Sequence, residues 1–257
     1  MSIISKVKTL TWFLARPKYY SQVPSLFKQA LFGNNDKASM KKNLDWCNKY
    51  SVPTEKALNI LTGQSEFSTI ESRFPAEYKE ARKKQDECPL PMGGAGNIDL
   101  IYNLCEFLKA NTVIETGVSF GWSSLAILLS IDKRQGRLFS IDMPYAKMNN
   151  EDYVGVVVPQ QLRSSWELIR LPDRKGIKIA LDKTKSIDLC HYDSDKSYEG
   201  RMFAYPLLWN ALRPGGFFIS DDIQDNLGFH DFCIKNQFNP VIVESNGKYI
   251  GVIKKPV

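Results

Sequence analysis

Three short stretches of this sequence concentrate acids, hydroxyls and a lysine. "HYDSDKSYEG" (191–200) sets Asp193, Asp195 and Glu199 around Lys196. "FFISDDIQDN" (217–226) ends an apolar run in Asp221 and Asp222. "VIETGVSFGWSS" (113–124) passes from an apolar run through Gly117 and Gly121 to Ser123 and Ser124. Carboxylates brought together repel unless a cation sits between them or solvent separates them. Oxygen donors of this kind suit Mg²⁺ or another hard ion. A lysine among them is a proton acceptor if uncharged and a salt-bridging residue if charged. The plainer reading of the same residues is a solvated turn, with Ser197 or Asp225 capping helices.

Each stretch must sit where an element can present it. From "NIDLIYNLCEFLKA" onward, helical patterns alternate with short apolar runs: "TVIET", "GRLFSID", "SIDLCHYD" and "GGFFISDD" read as strands. That alternation predicts an α/β, Rossmann-like doubly wound sheet, mostly parallel, with acids at strand ends. "PVIVES", "NG" and "KYIGVIKK" close the chain as an antiparallel hairpin, because Asn-Gly between apolar runs favours a tight turn. The middle, 145–180, gives no clear pattern. Residues 1–90 read as a helical segment, with helices at 24–32, 37–49, 53–62 and 67–84. The Pro/Gly-rich "CPLPMGGAG" marks the boundary with a second domain, 91–257.

The 113–124 stretch runs strand, loop, helix, and ligands bind at the carboxyl ends of such strands. A dinucleotide fingerprint would place its second and third glycines where Ser119 and Trp122 stand, so a pyrophosphate is disfavoured. Instead Glu115 suits an ammonium group. Ser123, Ser124 and the free amides of a helix start suit a carboxylate. Asp142 ends the next strand, where an acid commonly holds a ribose diol. An amino acid joined to a nucleoside has all three features, and S-adenosylmethionine is such a ligand.

Composition bounds the rest. The chain has 257 residues, 43% of them hydrophobic, with a net charge of +6. Residues 1–60 carry ten Lys/Arg against three acids, so the basic surplus lies wholly in that segment. Its mixture of lysines and aromatics suits a helical cap or dimer arm over the site. Peripheral contact with an anionic membrane is the second reading. No nucleic-acid motif accompanies the charge. The first twenty residues lack the apolar core and cleavage site of a signal peptide. Five scattered cysteines without a CxxC pair suit reduced thiols in a cytoplasm. The presence of only two histidines argues against a His-rich metal centre. His191 alternates with Asp193 as a core- or pocket-lining residue, and His230, just beyond the Asp pair on an expected helix, is a substrate-contact candidate.

From about 88 to 235 the chain resembles class I S-adenosylmethionine-dependent methyltransferases. It is most similar to bacterial metal-dependent O-methyltransferases of the macrolide-sugar type and, more distantly, to catechol O-methyltransferase. "VIETGVSFGWSS", "FSID", "DSDKSYEG", "LRPGGFFISDD" and the lead "PLPMGGAGNIDL" carry the resemblance. It implies that Glu115, Gly117, Ser119, Gly121, Ser123, Asp142 and Asp193 form the cofactor site. It also implies Asp193, Asp221 and Asp222 as ligands of Mg²⁺ or a similar cation, and Lys196 as general base. Sugar-type relatives carry histidine at that position, and catechol-type relatives carry lysine. The expected reaction is methyl transfer to a hydroxyl of a sugar or other polyhydroxylated molecule. The alternatives are a metal-independent methyltransferase and a non-catalytic protein that keeps the fold.

Overall fold

A computed structural model of the chain describes residues 9, 11–22, 37–146 and 148–257. The expected helix at 24–32 and the Lys/aromatic stretch 26–32 lie outside them. Helix α1 (Lys37–Tyr50) leads into a short strand, β1 (Ser51–Val52). Helix α2 (Thr54–Thr62) follows, then α3 (Ile70–Arg73) and α4 (Pro75–Asp86). The sequence had suggested one helix over 67–84. It is broken at Phe74, because a residue before proline is pushed out of the helical region.

Helix α5 (Ile98–Leu108) is capped by Asn97, whose side chain accepts from Leu100 N. Then come β2 (Thr112–Thr116), α6 (Trp122–Ile131) and β3 (Arg137–Ile141). The stretch that gave no clear sequence pattern holds β4 (Trp166–Ile169) and α7 (Asp173–Asp182). Strand β5 (Ile187–Tyr192), helix α8 (Tyr198–Ala211), strand β6 (Leu212–Ser220) and helix α9 (Gly228–Asn236) follow. Strands β7 (Val241–Ser245) and β8 (Lys248–Lys254) end the chain.

The eight strands of the described residues form one sheet, ordered β1-β7-β8-β6-β5-β2-β3-β4. The α/β, Rossmann-like expectation holds. β2 through β6 pair in parallel, and β8 runs antiparallel to both β6 and β7. The turn is Asn246-Gly247, both residues at positive φ (52° and 76°), as a twisted two-residue hairpin requires. The N-terminal segment contributes to this sheet, since β1 pairs in parallel with β7.

Side-chain alternation along the strands builds two cores, one on each face. Leu189, Phe217 and Ile219 face the layer of α2, α5 and α6. Cys190, Tyr192 and Phe218 face α7, α8 and α9. The carboxyl ends of β2, β3, β5 and β6 lie side by side, so the loops after them share one rim. Among the described residues no helix is long and apolar enough to cross a membrane.

Candidate active site

A cleft of about 830 Å³ opens at that rim. Gly117 to Ser119 form one wall, and Asp142 to Ala146 continue it. Asp193 to Lys196, Asp221 and Asp222 also line the cleft, and the hairpin turn adds Asn246 and Lys248.

The loop after β2 is shaped by Gly117. Its φ is +80°, and a Cβ there would stand 2.1 Å from the carbonyl oxygen of Asp193. Only glycine lets the two strand-end loops approach so closely. Asp193 N in turn donates to Thr116 O at 2.8 Å. Asp142 reaches across from β3, its Oδ2 accepting from Val118 N at 2.8 Å and Ser119 N at 3.4 Å. Burial pushes the Asp142 carboxyl up to about 6, against the lowering pull of those amides. Ser119 has φ +51°, and its hydroxyl donates to Gly93 O at 3.2 Å, tying the Pro/Gly-rich lead to the cleft.

Two residues implied as cofactor contacts are placed elsewhere. Glu115 does not line the cleft. Strand register puts it beside Ser140 on β3 and His191 on β5, beneath the rim. Its Oε2 accepts from Ser124 at 2.5 Å and Ser140 at 2.7 Å, and Trp166 Nε1 donates to Ser140 at 2.8 Å. Its Oε2 is thus held by the protein interior, while Oε1 is buried and makes no hydrogen bond. Gly121 caps α6 at φ +95° and packs on Gly155, also off the cleft. Ser123 lines the cleft, whereas Ser124 is the buried partner of Glu115.

"HYDSDKSYEG" resolves into separate tasks. Asp195 Oδ1 accepts from Ser197 N at 3.0 Å, and Ser197 caps α8 by accepting from Gly200 N at 3.0 Å. A Cβ at Gly200 would strike the Asp195 carboxylate at 2.3 Å, so glycine is required there. Asp193 and Lys196 turn into the cleft. The Lys196 ammonium hydrogen-bonds to Asp222 Oδ2 and lies 3.5 Å from Asp193 Oδ1. Lys248 reaches the same Asp222 carboxylate, 3.1 Å from Oδ1. Burial pulls the Lys196 ammonium down, but Asp193 and Asp222 more than offset it and hold it above the usual lysine range. In this arrangement Lys196 is paired with two carboxylates.

His191 lies under the acids, 2% exposed. Its Nδ1 is 3.6 Å from Glu115 Oε1 and its Nε2 is 3.6 Å from Asp221 Oδ1. These are ion-pair distances, too long for hydrogen bonds. Burial alone would lower the imidazole, yet the two carboxylates raise it to about 10. His230 bonds Asp231 at 2.9 Å and packs edge-on to Trp46, away from the cleft.

Asp193 Oδ1 and Asp221 Oδ1 are buried and make no hydrogen bond. Burial, then the neighbouring Asp221, holds Asp193 well above the usual carboxylate range. Those two oxygens suit a hard cation. Asp222 is already neutralised by two lysines. Among the described residues, no three ligand-type side chains are gathered closely enough to cage a metal.

Several cleft residues were not singled out from the sequence. Lys248 and Asn246 arrive through the hairpin, whose turn signal was legible. Asp173 opens α7 directly after Pro172, a helix-start signal. Its Oδ2 lies 2.5 Å from Ser194 Oγ, and burial raises its carboxyl to about 6. Near the rim, Trp12, Phe13 and Tyr19 form an aromatic cluster against Met143 and Ala146.

Comparison with known proteins now bears on this geometry. Residues 114–223 match the family described as Methyltransferase domain. The match covers less than half of the chain. The match runs from β2 to the turn after β6, and so spans both the glycine loop and the acidic cluster. A search of curated proteins finds no match. Among solved structures, the O-methyltransferase from Bacillus cereus in complex with SAH is similar at a TM-score of 0.56. It is 12% identical, and the similarity covers 81% of this chain and 100% of that one. The O-methyltransferase TomG from Streptomyces achromogenes, in complex with SAM, is similar at a TM-score of 0.55. It is 14% identical, with 81% and 98% covered. A methyltransferase from Geobacter sulfurreducens is similar at 0.52, 16% identical, with 71% and 87% covered. At these identities the likeness is one of fold.

Proposed function

We propose that this protein transfers a methyl group from S-adenosylmethionine to a hydroxyl oxygen of a sugar or other polyhydroxylated small molecule. One observation carries the reading: a single cleft joins the Gly117–Asp142 wall to the charged group of Asp193, Lys196, Asp221 and Asp222. The first suits a nucleoside-linked amino acid, and the second suits an acceptor that must lose a proton. Bound S-adenosylmethionine supplies an electrophilic methyl on a sulfonium.

A neutral hydroxyl is a weak nucleophile, so its proton must go somewhere as the C–O bond forms. Two groups in the cleft are candidates to take it. Asp193 holds a proton more readily than an ordinary carboxylate does. Lys196 becomes an acceptor only after it leaves its carboxylates and loses its charge. While charged, it donates to the acceptor oxygen and stabilises negative charge developing there.

Asp193 and Asp221 would hold a divalent cation such as Mg²⁺, with Asp222 joining if Lys196 moves aside. Such an ion lowers the pKa of a coordinated hydroxyl. The metal-independent reading is favoured by a different observation: Lys196 and Lys248 already neutralise Asp222. The test is incubation with methyl-labelled S-adenosylmethionine and a panel of sugars and polyols, read by mass spectrometry with and without a chelator. A labelled O-methyl product is expected. Loss of product on chelation supports the metal, and unchanged turnover supports the lysine-only site. No labelled product from any hydroxylated acceptor contradicts the proposal.

A further inference from the structure

The acid-bearing turn after β6 is held from outside the methyltransferase domain. Asp222 has φ +50°, a left-handed conformation that a non-glycine residue keeps only when its surroundings impose it. The 3₁₀ turn Ile223–Asp225 follows, and its carbonyls have no helix to continue into. Asn43 on α1, 0% exposed, supplies the missing donor. Its Nδ2 donates to Ile223 O at 2.6 Å and to Asn226 O at 2.9 Å, so both amide hydrogens clamp the two ends of the turn. From inside the domain, fully buried Arg201 donates through Nη2 to Asp222 O at 2.7 Å. The clamp continues toward the cleft. Asn226 Nδ2 donates to Lys196 O at 2.7 Å, latching the turn to the loop that carries Lys196. Asn43, the turn, Asn226 and Lys196 therefore form one continuous chain of contacts.

We propose that Asn43 is a positioning residue for the reaction: through the 222–226 turn and Asn226 it fixes Lys196 against Asp222. The N-terminal helical segment is then a working part of the site. The inference rests on the reading of the cleft as a methyl-transfer site, but its physical content can be measured without the acceptor.

The full chain is compared with Asn43→Asp and Asn43→Leu variants. Each keeps the approximate size of the side chain and removes the two-pronged donor. An amine-acylating reagent is applied, and mass spectrometry reads modification of Lys196 relative to the surface residue Lys83. Opening of the clamp is expected to raise the Lys196-to-Lys83 ratio by about fivefold or more. Affinity for S-adenosylmethionine, by calorimetry, should stay within about twofold, because the Gly117–Asp142 wall is not part of the clamp. A second variant, Asn226→Ala, cuts the chain at its exposed end and should give the same selective rise even if Asn43 variants fail to fold. A ratio unchanged in Asn226→Ala, or a rise shared by all lysines, overturns the proposal. Failure of the unaltered protein to bind S-adenosylmethionine counts against the functional reading instead, and leaves the lysine comparison standing.

Discussion

At the scale of single residues, Lys196 and Gly117 carry the account for different reasons. Lys196 is the only lysine that touches both Asp193 and Asp222 among the described residues. Lys196→Met keeps most of the aliphatic stem and removes the charge. Turnover should fall by about 10²–10⁴-fold, with S-adenosylmethionine affinity little changed. Steady-state kinetics and calorimetry check both halves, and near-normal turnover would remove Lys196 from the mechanism. Gly117 is constrained by contact. An alanine Cβ would overlap the Asp193 carbonyl and hold an unfavourable φ. Gly117→Ala should therefore cost about 3 kcal/mol and weaken cofactor binding, as seen by denaturant unfolding and titration. An unchanged unfolding midpoint would show that the two loops separate freely.

At the scale of elements, the cleft depends on a polar chain that crosses the sheet. Trp166 on β4, Ser140 on β3, Glu115 on β2 and Ser124 on α6 are linked by hydrogen bonds beneath the rim. Ser140→Ala leaves an indole N–H without its acceptor and takes one of two donors from a buried carboxylate. About 1–3 kcal/mol of stability should be lost, measured by urea unfolding. A loss no larger than that at an exposed serine would show the chain to be dispensable. This link also shows what a sequence can and cannot convey. The strand ends were legible, because alternation and turn residues are local, and with them Asp142, Asp193, Asp221 and Asp222. The direction in which Glu115 points depends on its register with Ser140 and His191, which are distant in sequence. Asn43 was illegible for the same reason: its two partners lie 180 and 183 residues away. β4 and α7 were missed although Pro172 stands at the start of α7. The segment before them turns in short 3₁₀ pieces that carry no sustained period.

At the scale of the molecule, buried ionisable groups set a pH dependence. Burial raises Asp142 and Asp173 to about 6, above the unfolded carboxylate value near 4. The folded state therefore binds more protons than the unfolded state in that window, and stability falls as pH rises through it. His191, raised to about 10, adds stability that is complete below about 6.5 and lost on the way to 10. Both effects have one sign, so the ligand-free protein should unfold at a lower temperature at pH 8 than at pH 5. Thermal scans across that range check it, and a midpoint that rises with pH would contradict the assignment. A cationic ligand in the cleft should narrow the gap, since it favours the ionised acids.

The central claim is that the Gly117–Asp142 wall binds S-adenosylmethionine. Calorimetric titration of the purified full chain with that compound tests it most directly. The account predicts saturable binding at one site per chain, weakened about tenfold or more in Asp142→Ala, which loses the acid expected to hold the ribose. No binding by the unaltered protein, or equal binding by the variant, would contradict it.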